Sequence, residues 1–229
     1  MSIEHLYPIS APDHKCFYFP DELELLLSDL DPTLPSNLLA RLRLETRDQH
    51  DAIEQTLMLM DEGVSGSAYC ERLEHFYGFY KPVEDRLFGA GSPLENWFKL
   101  QPRRKTHLLA ADLATLGLPA TARLPLCLEL PALDTVADYF GCMYVLEGAT
   151  LGGVMISRHL QKVLGTTPQS GGQFFHGYGE RTGAMWHEFR AAMTAYSLVS
   201  DDHDAVVASA CATFESLQSW CEARQIQVS

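Results

Sequence analysis

Three glycines fall within six residues in the middle of the longest apolar, helix-like stretch of the sequence, "LEGATLGGVMIS" from Leu146 to Ser157. Each glycine inside a helix costs about 1 kcal/mol relative to alanine. A chain carrying three of them needs a neighbour that approaches too closely for side chains. Gly148 and Gly152 are spaced i, i+4 and share one face, with Gly153 beside them. A tightly packed helix, a kink, or a flat ligand lying against the backbone would each account for such a face.

The surrounding periodic segment runs from about Asp134 to Leu164 and closes at Gly165. Other helices are expected from Ser36 or Asn37 to about Asp61, from about Ser67 to Phe88, and from Pro102 to Gly117 and Pro119. Pro82 should kink the second of these. Two more fit "ERTGAMWHEFRAAMTAYSLV" and "DAVVASACATFESLQSWCEAR", after a glycine-rich turn, "SGGQFFHGYG". No stretch alternates with period two and no internal repeat is visible, so the fold class is all-α, a multi-helix bundle. Residues 1–36 contain Pro8, Pro12, Pro20, Pro32 and Pro35 and read as an N-terminal extension packed on or near the main body, a helical domain over 37–226.

Seventeen Lys and Arg against 30 Asp and Glu give a formal net charge of −13. Such a surface repels nucleic acid and anionic membrane, while a few local arginines can still hold a small anion. The N-terminus lacks a basic region followed by an apolar run, so neither signal peptide nor membrane anchor is expected. The six cysteines form no CxxC pair, which fits free thiols in a reducing cytoplasm.

Along "NLLARLRLETRDQHDAIEQTLMLM", residues Leu39, Arg43, Thr46, His50, Ile53, Glu54 and Leu57 fall within roughly 100° of one another on a helical wheel. An arginine, a histidine and a glutamate in an interior column each need a partner. His50 and Glu54 are spaced i, i+4, so the carboxylate can orient the ring nitrogen that a metal leaves unused. Arg43 lies about 10.5 Å up the same face, where it could meet an anionic group of a large planar ligand. A lone histidine on an apolar face is more often a satisfied core residue, and His–Glu pairs at i, i+4 are common on helices.

Taken together, "LRLETRDQHDAIE", "FYGFYKPVEDRL", "YVLEGATLGG" and "GYGERTGAMWHEFRAAM" resemble the haem oxygenases, particularly the bacterial branch that supplies bilin to bacteriophytochromes. The resemblance covers roughly residues 38 to 220 by motif order. It implies a haem oxygenase-like bundle that binds haem as both substrate and cofactor. It also implies haem cleavage to biliverdin, with release of iron and carbon monoxide, using O2 and an external electron donor such as ferredoxin or a reductase. By position, His50 falls on the proximal iron ligand, Glu54 on its hydrogen-bonded partner, and Gly148 and Gly152 on the distal glycines, with Gly153 alongside. Arg43 and Arg190 match positions that meet the haem propionates, and Tyr139 and Arg158 are further candidates for that task. Where many relatives carry an aspartate after the first distal glycine, this sequence has Ala149. Proton delivery then falls to Thr150, Glu147 or a water chain. An apo-bacteriophytochrome would be the acceptor of the product.

Two other readings remain. One is a haem carrier or sensor of the same fold, to which Ala149 gives weight. The other is a haem-free enzyme of the same scaffold, such as a thiamine-pyrimidine hydrolase, which would need a cysteine nucleophile, and Cys142 is the one near the glycines. A di-iron site is not expected, because Glu-x-x-His motifs are missing and His75 in "ERLEHFY" has the wrong spacing. The aromatic residues Phe76, Tyr77, Phe79 and Tyr80 read as core.

Overall fold

A computed structural model describes residues 38–118 and 121–225. The extension over 1–36, the cap at Ser36 or Asn37, Cys16, Pro119 and the boundary at 226 lie outside the described residues. Among the described residues are eight α-helices and no strand, as an all-α bundle requires. They are α1 (Leu38–Glu45), α2 (Arg47–Leu57), α3 (Gly66–Leu87), α4 (Thr106–Thr115), α5 (Val136–Leu164), the short α6 (Gln173–His176), α7 (Thr182–Val199) and α8 (His203–Gln225).

The 29-residue α5 forms the centre of the bundle and packs most extensively on α8, with α6 and α7 also against it. Its ends follow from local chemistry. The Thr135 hydroxyl accepts from Asp138 N while Asp138 accepts from Thr135 N at 2.8 Å, a reciprocal cap, and Gly165 ends the helix at φ 70°. By length and mean hydropathy α5 could also cross a membrane. Its packing against α6, α7 and α8 accounts for the same composition as a core helix.

The expected first helix is two. Thr46 interrupts it with φ −102° and ψ 7°, and its hydroxyl donates to the Leu42 carbonyl at 2.7 Å. Side-chain bonding back to the preceding turn is a known way to bend a helix. Backbone bonds from Thr46 N to Leu42 O and from His50 N to Thr46 O carry the chain through the bend, and α2 ends at Leu57 before the left-handed Met58, earlier than periodicity suggests. The third expected helix is likewise shortened: Gln101–Arg103 form a 3-10 turn, and α4 begins at Thr106. The buried Glu84 carboxylate caps α4 by accepting from Lys105 N, Thr106 N and Thr106 Oγ1.

Helix α3 runs through Pro82, which has no N–H for the Gly78 carbonyl. Cys127 N supplies the missing bond at 2.9 Å. A Cβ at Gly78 would lie 2.7 Å from the Pro125 carbonyl, so the glycine is what lets this loop reach its acceptor. Phe76, Tyr77, Phe79 and Tyr80 are all buried, and Phe76 and Tyr80 pack on Phe174 of α6, so the core reading of these aromatics holds.

A buried ionic cluster sits beside the glycines. Glu147, fully buried, accepts from Arg103 Nη1, from Lys105 Nζ at 2.8 Å and from Tyr178 Oη at 2.7 Å. Arg103, also fully buried, bonds Glu188 at 2.8 Å and the Met185 carbonyl, and its guanidinium lies over the Phe98 ring. Removing one member of a buried ion pair leaves an uncompensated charge, costing about 3 kcal/mol or more. Glu147→Gln should therefore lower the melting temperature by on the order of 10 °C. Glu188→Gln, whose carboxylate is 49% exposed, should cost less than about 1 kcal/mol. Equal losses in the two variants would show that the buried carboxylate does not hold this region.

Candidate functional site

His50 projects from α2 and Gly148 and Gly152 lie on α5. Each helix packs against α8, and the two form no extended interface with one another. They are instead tied at two points. Tyr144 of α5 stands beside Thr46, at the start of α2. His159 Nε2 of α5 donates to the Asp61 carbonyl, beyond the end of α2, at 3.0 Å. Both ties advance along the two chains in the same direction. His50 is one helical turn past the first tie on α2, and Gly148 is one turn past it on α5, so the imidazole and the glycine face lie at the same level.

The glycines then separate by role. A Cβ on Gly148 or Gly152 would meet nothing within 4 Å. These two positions face open space, and nothing in the fold requires glycine there. Gly153 is turned the other way, where a Cβ would stand 2.9 Å from the Phe175 carbonyl, so its bareness is explained by the approach of α6. That approach is fixed from behind, because the buried Asp112 carboxylate accepts from Gln173 N and Phe174 N at 2.8 Å each. Burial pushes the Asp112 carboxyl above its ordinary range despite those two bonds.

His50 is half-buried, with 36% of its side chain exposed. Its ring meets Phe214 of α8 edge-on at 5.9 Å. Nε2 lies 3.5 Å from Glu54 Oε1 and Nδ1 lies 3.8 Å from Asp51 Oδ1, so each ring nitrogen faces a carboxylate. The ligand atoms of these three residues lie within 4.8 Å of one another. Burial pushes the His50 pKa below its ordinary value, against the opposing pull of Asp51. Burial also pushes Glu54 up to about 7, helped by the neighbouring Asp51 charge. A neutral imidazole with its second nitrogen beside a carboxylate is the form that binds a metal.

The remaining candidates sort by geometry. Arg43 is exposed on α1, and its charge is felt by the Tyr144 hydroxyl. Arg190 is half-buried on α7, which packs against both α1 and α5. Thr150 is not on the open face: it is buried on the opposite side of α5, its hydroxyl donates to the Glu147 carbonyl at 2.6 Å, and Gly177 lies against it. Tyr139 is half a turn round α5 from Gly148 and so points away from it. Arg158 is exposed on the flank of α5 rather than in line with the glycines. Glu147 is committed to the ionic cluster. Cys142 is fully buried and its thiol is pushed up to about 12 by burial, which removes it as a nucleophile. His75 is buried, with its pKa lowered to about 4 by burial.

The family is decided by a match to the Heme oxygenase family model over residues 36–223. The chain belongs to the heme oxygenase family. A heme oxygenase of Xanthomonas campestris pv. campestris (strain 8004) is 40% identical over 88 residues, a stretch that covers 37% of this chain and 46%, under half, of that relative. The heme oxygenase of Neisseria meningitidis, solved with NO and CO bound, superposes with a TM-score of 0.68 at 20% identity, covering 81% of this chain and 90% of that one. The Leptospira interrogans heme oxygenase gives 0.66 at 18% identity, covering 82% and 100%. Heme oxygenase-1 from the cyanobacterium Synechocystis sp. PCC6803, solved in complex with heme, gives 0.61 at 15% identity, covering 84% and 98%. At these identities the structural likenesses establish the heme oxygenase fold for this chain.

Sequence reasoning missed Asp51, because i, i+1 residues do not share a helical face, yet a half-exposed ring can still reach it. It also missed Tyr144, although continuing the i, i+4 series backwards from Gly152 and Gly148 lands on it.

Two outcomes follow for the ligand-free protein. Gly153→Ala should destabilise it by about 1–3 kcal/mol through overpacking, whereas Gly148→Ala should leave it unchanged or raise its stability by up to about 1 kcal/mol. Thermal melts of the two variants check this, and a destabilised Gly148→Ala would mean that the face is not open. Because the folded Glu54 pKa stands above its unfolded value, its protonated form favours folding, so this contribution is full below about pH 4.5 and is lost as the pH rises through about 7. The stability difference between wild type and Glu54→Gln should drift in that direction across the window, measured by denaturant titration at each pH. A flat difference would show that Glu54 titrates normally.

Proposed function

We propose that this chain is a haem oxygenase, binding haem as substrate and cleaving it to biliverdin with release of iron and carbon monoxide. The observation that carries the reading is the open face of Gly148 and Gly152 at the level of a half-buried His50 whose pKa burial lowers, on two helices that form no extended interface. Helix-interior glycines that contact nothing are unfavourable for the fold alone, so a flat ligand against the backbone is their best explanation.

Residues present on the two helices fit that ligand. The His50 imidazole would take the iron, with Glu54 or Asp51 orienting the ring according to the nitrogen used. Gly148 and Gly152 would bring backbone close to the opposite side and leave room for dioxygen and ordered water. Arg43 and Arg190 would hold the carboxylates and so set the rotation of the ring. Bound haem supplies the redox-active iron and the macrocycle that is cut; the chain supplies orientation, the neutral ligand and the enclosed space. Electrons come from an external donor such as ferredoxin or a reductase, and an apo-bacteriophytochrome in the cytoplasm would accept the bilin.

Ala149 is exposed on α5 and carries no ionisable group, and it favours a second reading, a haem carrier or sensor. Hemin titration separates haem binding from its absence: wild type should develop the Soret band of histidine-ligated ferric haem, and His50→Ala should lose that signature. Adding a reductant and oxygen separates the two readings, since bilin absorption supports the oxygenase and a haem spectrum that persists supports the carrier. Gly148→Leu should fold normally yet slow turnover by about a hundredfold. Normal turnover in that variant would remove the glycine face from the mechanism.

A further inference from the structure

Three ligating side chains converge on one turn of α2. His50 Nε2 lies 3.5 Å from Glu54 Oε1 and His50 Nδ1 lies 3.8 Å from Asp51 Oδ1. One ring nitrogen and one oxygen of each carboxylate fall within 4.8 Å of one another, and among the described residues no other three His, Cys, Asp or Glu side chains come together in this way. The second Asp51 oxygen, Oδ2, is 4.0 Å from the exposed Arg47, which leaves Oδ1 turned to the ring. The haem reading uses one of the two carboxylates, to orient the imidazole, and gives the second no task. Asp51 and Glu54 are spaced i, i+3, so two like charges are neighbours on the helix surface, which works against the helix.

An ordinary histidine–carboxylate pair in the same fold looks different. His75 Nε2 lies 3.7 Å from Glu71, also four residues away, but its side chain is 2% exposed and Glu71 is paired with Arg72 at 3.0 Å. At His50, Asp51 and Glu54 the side chains are 36%, 40% and 28% exposed, within reach of an ion that arrives with its water. Zinc and ions like it hold nitrogen and carboxylate oxygen at about 2.0–2.2 Å, which sets neighbouring donors about 3–3.5 Å apart. Rotation of the two carboxylates closes the remaining gap without moving the helix. Two carboxylates balance a doubly charged cation. The mixed nitrogen and oxygen donors favour zinc or ferrous iron over magnesium and calcium, which take oxygen ligands.

We infer that His50, Asp51 and Glu54 form a binding site for a free divalent transition-metal ion of the class of zinc and ferrous iron, which haem and the ion occupy in turn because both require the His50 imidazole. The exclusion of haem rests on the haem reading above; the ion site does not. Ferrous iron is also what the proposed cleavage releases, so Asp51 and Glu54 stand where that product would leave the imidazole.

The test uses Co2+ as the probe on the full, haem-free chain, because its visible absorption separates nitrogen and oxygen ligands from thiolate. Wild type should bind one Co2+ per chain with no thiolate charge-transfer band. Asp51→Asn and Glu54→Gln should each weaken binding at least about tenfold, since even the partner of a metal ligand is worth about 10–100-fold in affinity. Saturating Zn2+ should raise the hemin concentration needed for half-maximal Soret absorption in wild type, and the shift should shrink in Asp51→Asn. Thiolate-ligated cobalt, or equal cobalt affinity in wild type and both variants, overturns the site. Cobalt bound as expected with no effect of zinc on hemin overturns the shared use of the imidazole. Cobalt binding without any Soret band in wild type overturns the haem reading and leaves the ion site standing. Should the variants fail to fold, NMR of wild type decides: Co2+ should broaden the ring signals of His50 and spare those of His75, and His50 signals that stay sharp overturn the proposal.

Discussion

The carboxylate of Glu147 fixes the rotation of α5, and the character of each of its faces follows from that rotation. A long apolar helix in a bundle could turn about its axis at little cost, because one leucine can replace another against a neighbour. A buried carboxylate held by Arg103, Lys105 and Tyr178 cannot turn without leaving Lys105 without its carboxylate and Arg103 with Glu188 alone. With Glu147 so placed, Gly153 must face the Phe175 carbonyl, Thr150 must face Gly177, and Gly148 and Gly152 must face away from both. At the other end Gly141 works in the same sense, since a Cβ there would strike the Val206 carbonyl of α8. Four glycines on one helix thus divide into two kinds, with close backbone approach at Gly141 and Gly153 and open space at Gly148 and Gly152.

The cleft itself is kept by what does not pack. Helices α2 and α5 each lean on α8, so the bundle gains its burial without bringing them together. The contacts that do join them, Tyr144 beside Thr46 and His159 on the Asp61 carbonyl, are polar. Thr46 serves both ends of this arrangement. Its hydroxyl bends the chain by bonding Leu42, separating α1 from α2, and the residue stands beside Tyr144. The bend lets α1 carry Arg43 towards α7 while α2 carries His50 along the cleft.

Much of this was legible in the sequence where the cause is local. The ends of α5 were readable because Thr135, Asp138 and Gly165 act on their own neighbours. His50 and Glu54 were readable because their spacing alone puts them on one face. The division of the first helix was not, since the Thr46 to Leu42 bond depends on a rotamer that periodicity does not reveal. Nor could the sequence distinguish Gly153 from Gly152: adjacent glycines look alike until α6 closes on one of them. The least legible feature was the ionic cluster, whose partners are far apart along the chain. Glu147 therefore looked available as a proton source when its carboxylate was already engaged by three donors.

The electrostatics of the two walls differ in a way that bears on the chemistry. On the α2 wall, partial burial lowers the His50 pKa and raises that of Glu54 to about 7, so burial favours the uncharged form of both groups. On the α5 wall, Gly148, Ala149 and Gly152 present backbone and a methyl group, and the nearest carboxylate, Glu147, is turned into the core. Hydrogen bonding at that wall must then come from backbone groups and water. Under the haem reading, a wall without an acid of its own works only if water is admitted in an ordered way, and Ala149 is exposed beside the open glycines.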